Sequence, residues 1–137
     1  DENGNFGVPI NAGERINTSL DEITPFFNPY ENTLYFSSNR KGGLGGFDVY
    51  KSNGKLNLWK KTSNVKQFNS KDDEMYLNFY SKEKGYFSSN RKGAKYETTE
   101  FCCNDIFSFE SINIDGINIY DYVDMFLEQK SLLKYYF

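Results

Sequence analysis

The chain is 137 residues long with a net charge of −3 and charges of both signs scattered along it. That is a single-domain length, with no concentrated basic surface for nucleic acid. It has no His and only two Cys, which are neighbours, so the commonest general base is missing and neither a C-x-x-C motif nor a self-contained zinc set exists.

Aromatic residues make up 18% of the chain, with 13 Phe and 11 Tyr, and 11 Gly accompany many Asn and Ser. Such residues suit half-buried pleated strands joined by tight turns. The most apolar run lies near the C-terminus and is broken by Asp, Glu and Lys, so no transmembrane helix is expected. No secretory signal precedes it. The first residue is Asp1 rather than Met, and the expectation is a fragment or a processed product.

In chain order, residues 1–20 read as the end of a preceding repeat unit. Phe6 stands 15 residues before Asp21, much as Trp59 stands 14 before Asp73. Asn17-Thr18-Ser19 resembles Asn69-Ser70-Lys71 in the same place. The first full unit is 21–62. It opens on Asp21-Glu22, alternates Leu34, Phe36 and Ser38 against Tyr35 and Ser37, and turns at Asn39-Arg40-Lys41-Gly42-Gly43. A strand over Phe47–Tyr50, a turn at Ser52–Lys55 and a strand through Leu58-Trp59 complete it.

Residues 63–111 form a second, partial unit. Tyr35–Gly42 recurs residue for residue as Tyr86–Gly93, 51 positions on. Asp73-Glu74 repeats Asp21-Glu22 at an offset of 52, and Asp105-Ile106-Phe107 repeats Asp48-Val49-Tyr50 at 57. One ancestral unit with a longer turn in its second copy accounts for this. Met75, Leu77 and Phe79 alternating with Tyr76, Asn78 and Tyr80 predict a strand. Residues 112–137 leave the repeat. Ile112, Ile114, Ile117 and Ile119 predict a strand or hairpin about Asp115-Gly116, and the apolar spacing from Asp121 to Phe137 predicts a short amphipathic helix.

The charged and polar positions of the repeat read as structural. Asp21, Glu22, Asp73 and Glu74 occupy the same slot in each unit, where acid/base chemistry would need two carboxyls facing one substrate. They are expected to accept N–H groups from turns or neighbouring strands. Asp48 and Asp105 sit among bulky residues, where an unpaired carboxylate is costly, so Arg40 and Arg91 are expected to pair with them. Asn39 and Asn90 belong to the turns. The Gly-rich stretch 42–46 lacks the spacing and the Lys-Ser/Thr of a phosphate loop and leads into a strand. The acidic N-terminus has Phe6 and Ala12 where a calcium loop has Gly and Glu. No catalytic, cofactor or metal site is expected. For Cys102 and Cys103, a vicinal disulfide, a bridge outside the chain and reduced thiols all stay open.

Ile16–Phe27, Leu34–Arg40 and Gly45–Tyr50 together resemble the TolB-like, WD-like β-propeller repeat. Gly85–Arg91 with Cys102–Phe107 is similar to the last repeat of Bacteroidetes envelope proteins of the OmpA-associated kind, some serving type IX secretion. The resemblance covers about residues 5–111. It implies an all-β fold, a partial propeller of about two four-stranded antiparallel blades. It further implies a non-enzymatic binding or scaffolding module at the periplasmic side of the outer membrane. Its expected partners are envelope proteins, cell wall and the remaining blades of the parent protein, with no cofactor. An accessory gating propeller of a peptidase or other hydrolase is the alternative. Partner contact is expected on the loop carrying Tyr96, Glu97 and Glu100, and on turn 42–46.

Overall fold

A computed structural model describes Gly4 and residues 6–94, 103–114 and 117–123, the last stretch from residue 112 onward as backbone. The described residues are all-β and contain no helix. Two antiparallel sheets follow one another along the chain, and neither closes on itself.

The first sheet is built from β1 (Glu22–Asn28), β2 (Thr33–Ser38), β3 (Asp48–Lys55) and β4 (Leu58–Trp59) in that order, with β5 (Ser63–Asn64) also pairing β3. The second runs β6 (Glu74–Phe79), β7 (Lys84–Ser89), β8 (Asp105–Ile114) and β9 (Ile117–Val123). The registers repeat. Glu22 lies opposite Ser38, which lies opposite Asp48; Glu74 lies opposite Ser89, which lies opposite Asp105. Each first strand bulges at the same point, between Ile23 and Phe26 and between Met75 and Asn78. There Thr24 and Tyr76 take left-handed φ values of 50° and 56°. A bulge re-aims the following side chains. Strict alternation over Met75–Tyr80 is therefore broken: Glu74, Leu77 and Phe79 are buried, and Met75 is only half-buried.

Two sequence expectations change, and a third is extended. The turn expected at Ser52–Lys55 lies further on, because β3 continues to Lys55 and the chain reverses at Leu56 and Asn57. Gly54, at φ 144°, permits this; a Cβ there would stand 2.3 Å from the Leu58 carbonyl oxygen. The second sheet has a fourth strand, β9, formed by residues outside the repeat, and Ile114 pairs with Ile117 across the expected hairpin. Finally, β9 runs to Val123, so the helix expected from Asp121 does not begin there, and its remaining residues 124–137 lie outside the described residues.

β6 packs across β1, β2 and β3 of the first sheet. The main core fills this seam. Tyr35 and Val49 come from the first sheet, Leu77, Phe79, Phe87, Phe107 and Phe109 from the second, and Val65 and Phe68 from the link between them. Burying each such aromatic contributes about 2–3 kcal/mol. A smaller cluster of Ile16, Phe36 and Tyr50 covers the opposite face of the first sheet, with Ala12, Leu34 and Trp59 against it. β2 is thus buried on both faces.

Candidate functional site

The recurrent polar residues assemble two copies of one hydrogen-bonded network, the first partly exposed and the second more deeply buried. In the first, the Glu22 carboxylate accepts the backbone N–H of Thr18 (2.8 Å), the Thr18 hydroxyl (2.8 Å) and the Ser38 hydroxyl (2.9 Å). Arg40 Nη2 sits 3.0 Å from Glu22 and 2.6 Å from the carbonyl oxygen of Ile16, while its Nε donates to Ser38 Oγ at 3.2 Å. The guanidinium lies over the rings of Phe36 and Tyr50, 4.9 and 4.8 Å from their centroids. In the second copy Ser70 replaces Thr18, with N–H and hydroxyl 2.8 and 2.6 Å from Glu74, and the Ser89 hydroxyl is 3.0 Å away. Arg91 Nη2 reaches Glu74 at 3.0 Å and donates to the carbonyl of Phe68, with the guanidinium over Phe87 and Phe107.

Asn39 and Asn90 add a matching clip. Each accepts the N–H of Asp21 or Asp73 on its side-chain oxygen, at 3.0 and 2.8 Å, and donates back to that carboxylate at 3.2 Å. Register explains the constellation. The Glu stands across from a Ser at the end of the second strand, and the Arg two residues beyond that Ser folds back over the sheet face. The N–H, hydroxyl and carbonyl groups come from the segment entering each sheet. The network therefore latches that segment onto the sheet that follows it.

This corrects the expected Arg40–Asp48 pair: Arg40 pairs with Glu22, as Arg91 does with Glu74. Asp48 is already engaged, its Oδ2 accepting the N–H groups of Leu44 and Gly45 at 2.9 and 3.2 Å, so its own turn supplies what an Arg was expected to. Asp105 opens β8 opposite Ser89, as Asp48 opens β3 opposite Ser38.

Burial pushes the Glu22 carboxyl up, but hydrogen bonds from the Thr18 N–H and hydroxyl and from Ser38, with the Arg40 charge, outweigh it and hold the group below its ordinary value. A carboxylate kept ionised, saturated with donors and screened from solvent is poorly suited to moving protons. The network reads as a clamp.

The Gly-rich turn belongs to the seam between the sheets. Phe47 N–H donates to Asp73 Oδ1 at 2.8 Å, Glu74 N–H to the Phe47 carbonyl at 2.6 Å, and Gly46 N–H to the Asp72 carbonyl at 3.3 Å. A Cβ on Gly46 would stand 2.2 Å from Asp73 Oδ1, and one on Gly45 2.0 Å from the Asp72 carbonyl oxygen. Only Gly permits this approach, and Lys41, Gly42 and Leu44 are left exposed. Tyr96, Glu97 and Glu100 lie outside the described residues. Cys103 is disulfide-bonded at a φ of 95°, and the chain's other cysteine, Cys102, is also outside them.

Among the described residues no group of three or more His, Cys, Asp or Glu is placed to hold a metal ion, and no helix is long and apolar enough to cross a membrane. Sequence reading missed Thr18, Ser38, Ser70 and Ser89 as members of the latch. The signal was present, since all four fall at equivalent places in the aligned repeat. No family model matches the chain, and no curated protein or solved structure matches it.

Proposed function

We propose that the chain is a non-enzymatic binding and scaffolding module, two successive blades of a TolB-like, WD-like β-propeller in a Bacteroidetes cell-envelope protein. The observation that carries this reading is the duplicated latch. The same Glu, Ser and Arg tie the entering segment to each sheet, so each sheet is joined to what precedes it by the same contacts. Stacking repeat sheets through a regular inter-sheet contact is how propellers and related arrays build rigid platforms. Such a platform offers loops and faces to partners while its charged residues hold the scaffold. Here the best-placed carboxylates are occupied by internal donors, which favours a holding role over turnover. The motifs of 16–27, 34–40, 45–50 and 85–107 supply the link to envelope proteins, with protein or cell-wall partners at the periplasmic side of the outer membrane.

The test pairs two measurements on the purified chain. Co-sedimentation with isolated cell walls and with outer-membrane fractions should exceed that with a cytosolic extract, and incubation with peptide and glycan substrates should release no product. Equal recovery from all three fractions would remove the envelope reading. Hydrolysis that purifies with the chain would overturn the non-enzymatic one.

A further inference from the structure

The two sheets offer the same positions to different surroundings, and the difference marks an open docking face. Along the repeat, Tyr86 holds the place of Tyr35, Ile106 that of Val49, and Asn78 that of Phe26. In the first sheet Tyr35 and Val49 are 1% and 0% exposed, because the second sheet covers them. In the second sheet Tyr86 and Ile106 are 39% and 63% exposed. With Tyr76 and Asn78 they line a largely apolar groove of about 360 Å³.

The opposite end carries the matching knob. Phe79 of the second sheet is wedged against Phe26 and Tyr35 of the first, at centroid distances of 6.1 and 5.2 Å, and is 7% exposed. Its equivalent in the first sheet, Phe27, is 43% exposed. A used knob and hole thus occur between the two sheets, and among the described residues an open hole and an exposed knob of the same kind lie on their outer faces.

We propose that this face takes a second copy of the chain, head to tail, with Phe27 of one copy seated over Asn78 and Tyr86 of the other. The contact repeats the one that Phe79 makes within the chain. The polar seam can repeat as well. Inside the chain the Asp73 carboxylate accepts the Phe47 N–H. Exposed Asp21 and exposed Asn104 hold the equivalent places on the two outer faces. The contact is heterologous, so copies add in one direction until a ring closes or a chain grows. It rests on the two sheets being successive repeat units, as the proposed function has them, and is independent of any envelope role.

Complementary variants test it by sedimentation velocity across a wide concentration range. The unaltered chain should associate progressively. Phe27→Glu removes the knob and Ile106→Lys blocks the hole, and each alone should weaken association by at least about tenfold, the scale of losing one interface anchor. The two variants mixed should form a one-to-one dimer and stop there, because the mixture holds one intact knob and one intact hole. Phe27→Ser and Ile106→Thr, milder changes at exposed strand positions, should weaken association in the same direction with unchanged circular dichroism. A chain that stays monomeric throughout overturns the proposal. So does a Phe27→Glu variant that still dimerises, which would mean that the Tyr86 faces meet each other, or a mixture that stays monomeric.

Discussion

The two sheets share a skeleton and differ in enclosure. Each holds its entering segment with the same Glu–Ser–Arg latch, yet the Glu22 and Arg40 side chains are 10% and 14% exposed, against 0% and 11% for Glu74 and Arg91. The first latch is closed over by a short segment around Ile16, the second by a whole sheet. The comparison teaches that equal hydrogen bonds need not carry equal weight. A charge pair removed further from water gains strength, but it also becomes more costly to break from one side.

Arg91→Ala is expected to have the largest effect, about 3 kcal/mol of stability, since it strands the buried Glu74 carboxylate and empties the space over Phe87 and Phe107. Denaturant titration with an unchanged m value would measure it. Arg91→Lys should recover little, because one ammonium cannot reach Glu74, Ser89 and the Phe68 carbonyl in the planar geometry of a guanidinium. A cost equal to that of Arg40→Ala would break the comparison.

A second difference lies in a cross-strand pair. Leu34 faces Ser52 in the first sheet, whereas Gly85 faces Phe109 in the second. The large residue has changed strands. The Phe109 ring leans over Gly85, where a Cβ would meet it at 2.5 Å and the Asn78 carbonyl oxygen at 1.9 Å. Gly85→Ala should therefore cost about 2 kcal/mol through overpacking, read by thermal melting, while Leu34→Ala in the half-open first sheet should cost less. The reverse order would mean that the second sheet yields more readily than its packing implies.

Arg40→Ala should cost about 1 kcal/mol, for the partner it leaves is nearer water. The same site carries a pH dependence. The folded-state value of Glu22 is lowered from the ordinary 4.5, so its contribution is fully present above that value and drains away as pH falls through the lower folded one. The melting temperatures of the unaltered chain and of Glu22→Gln should accordingly converge on acidification below 4.5. A gap that persisted at low pH would assign the effect to packing. The smallest effect belongs to Lys84 and Glu110. Their charges meet at 2.8 Å and raise the Lys84 value through that hydrogen bond, yet the side chains are 42% and 53% exposed. Lys84→Ala should leave the melting temperature unchanged within error.

Much of the framework is legible in the residues alone. Period-two patterning, turn residues and an eight-residue identity locate β2 with β7 and β3 with β8, and mark Glu22, Arg40, Glu74 and Arg91 as recurrent. These are local properties: pleat alternation and turn chemistry act over a few residues and leave a direct imprint. The partner of each Arg is another matter. Ser38 stands between Glu22 on one side and Asp48 on the other, and both offer a carboxylate on a neighbouring strand. The choice falls to the Leu44 and Gly45 N–H groups, which claim Asp48 and leave Glu22 to the guanidinium.

The hairpin of β9 with β8 about Asp115-Gly116 was legible from its alternating Ile residues, whereas its place as the fourth strand of the second sheet was not. Its pairing depends on the free edge of β8, which exists only once the second sheet has formed. Burial was hidden for the same reason. Tyr35 and Tyr86 sit in identical octapeptides and differ from 1% to 39% exposed. The amino-acid sequence by itself determined the strand period, the turns and the recurrence of the latch residues, since these arise from contacts between near neighbours. Tertiary structure alone decided which carboxylate each Arg holds, which strand completes the second sheet and which copy of a repeated face is open. Those outcomes depend on which groups strand pairing brings together and on what a second sheet does or does not bring against the first.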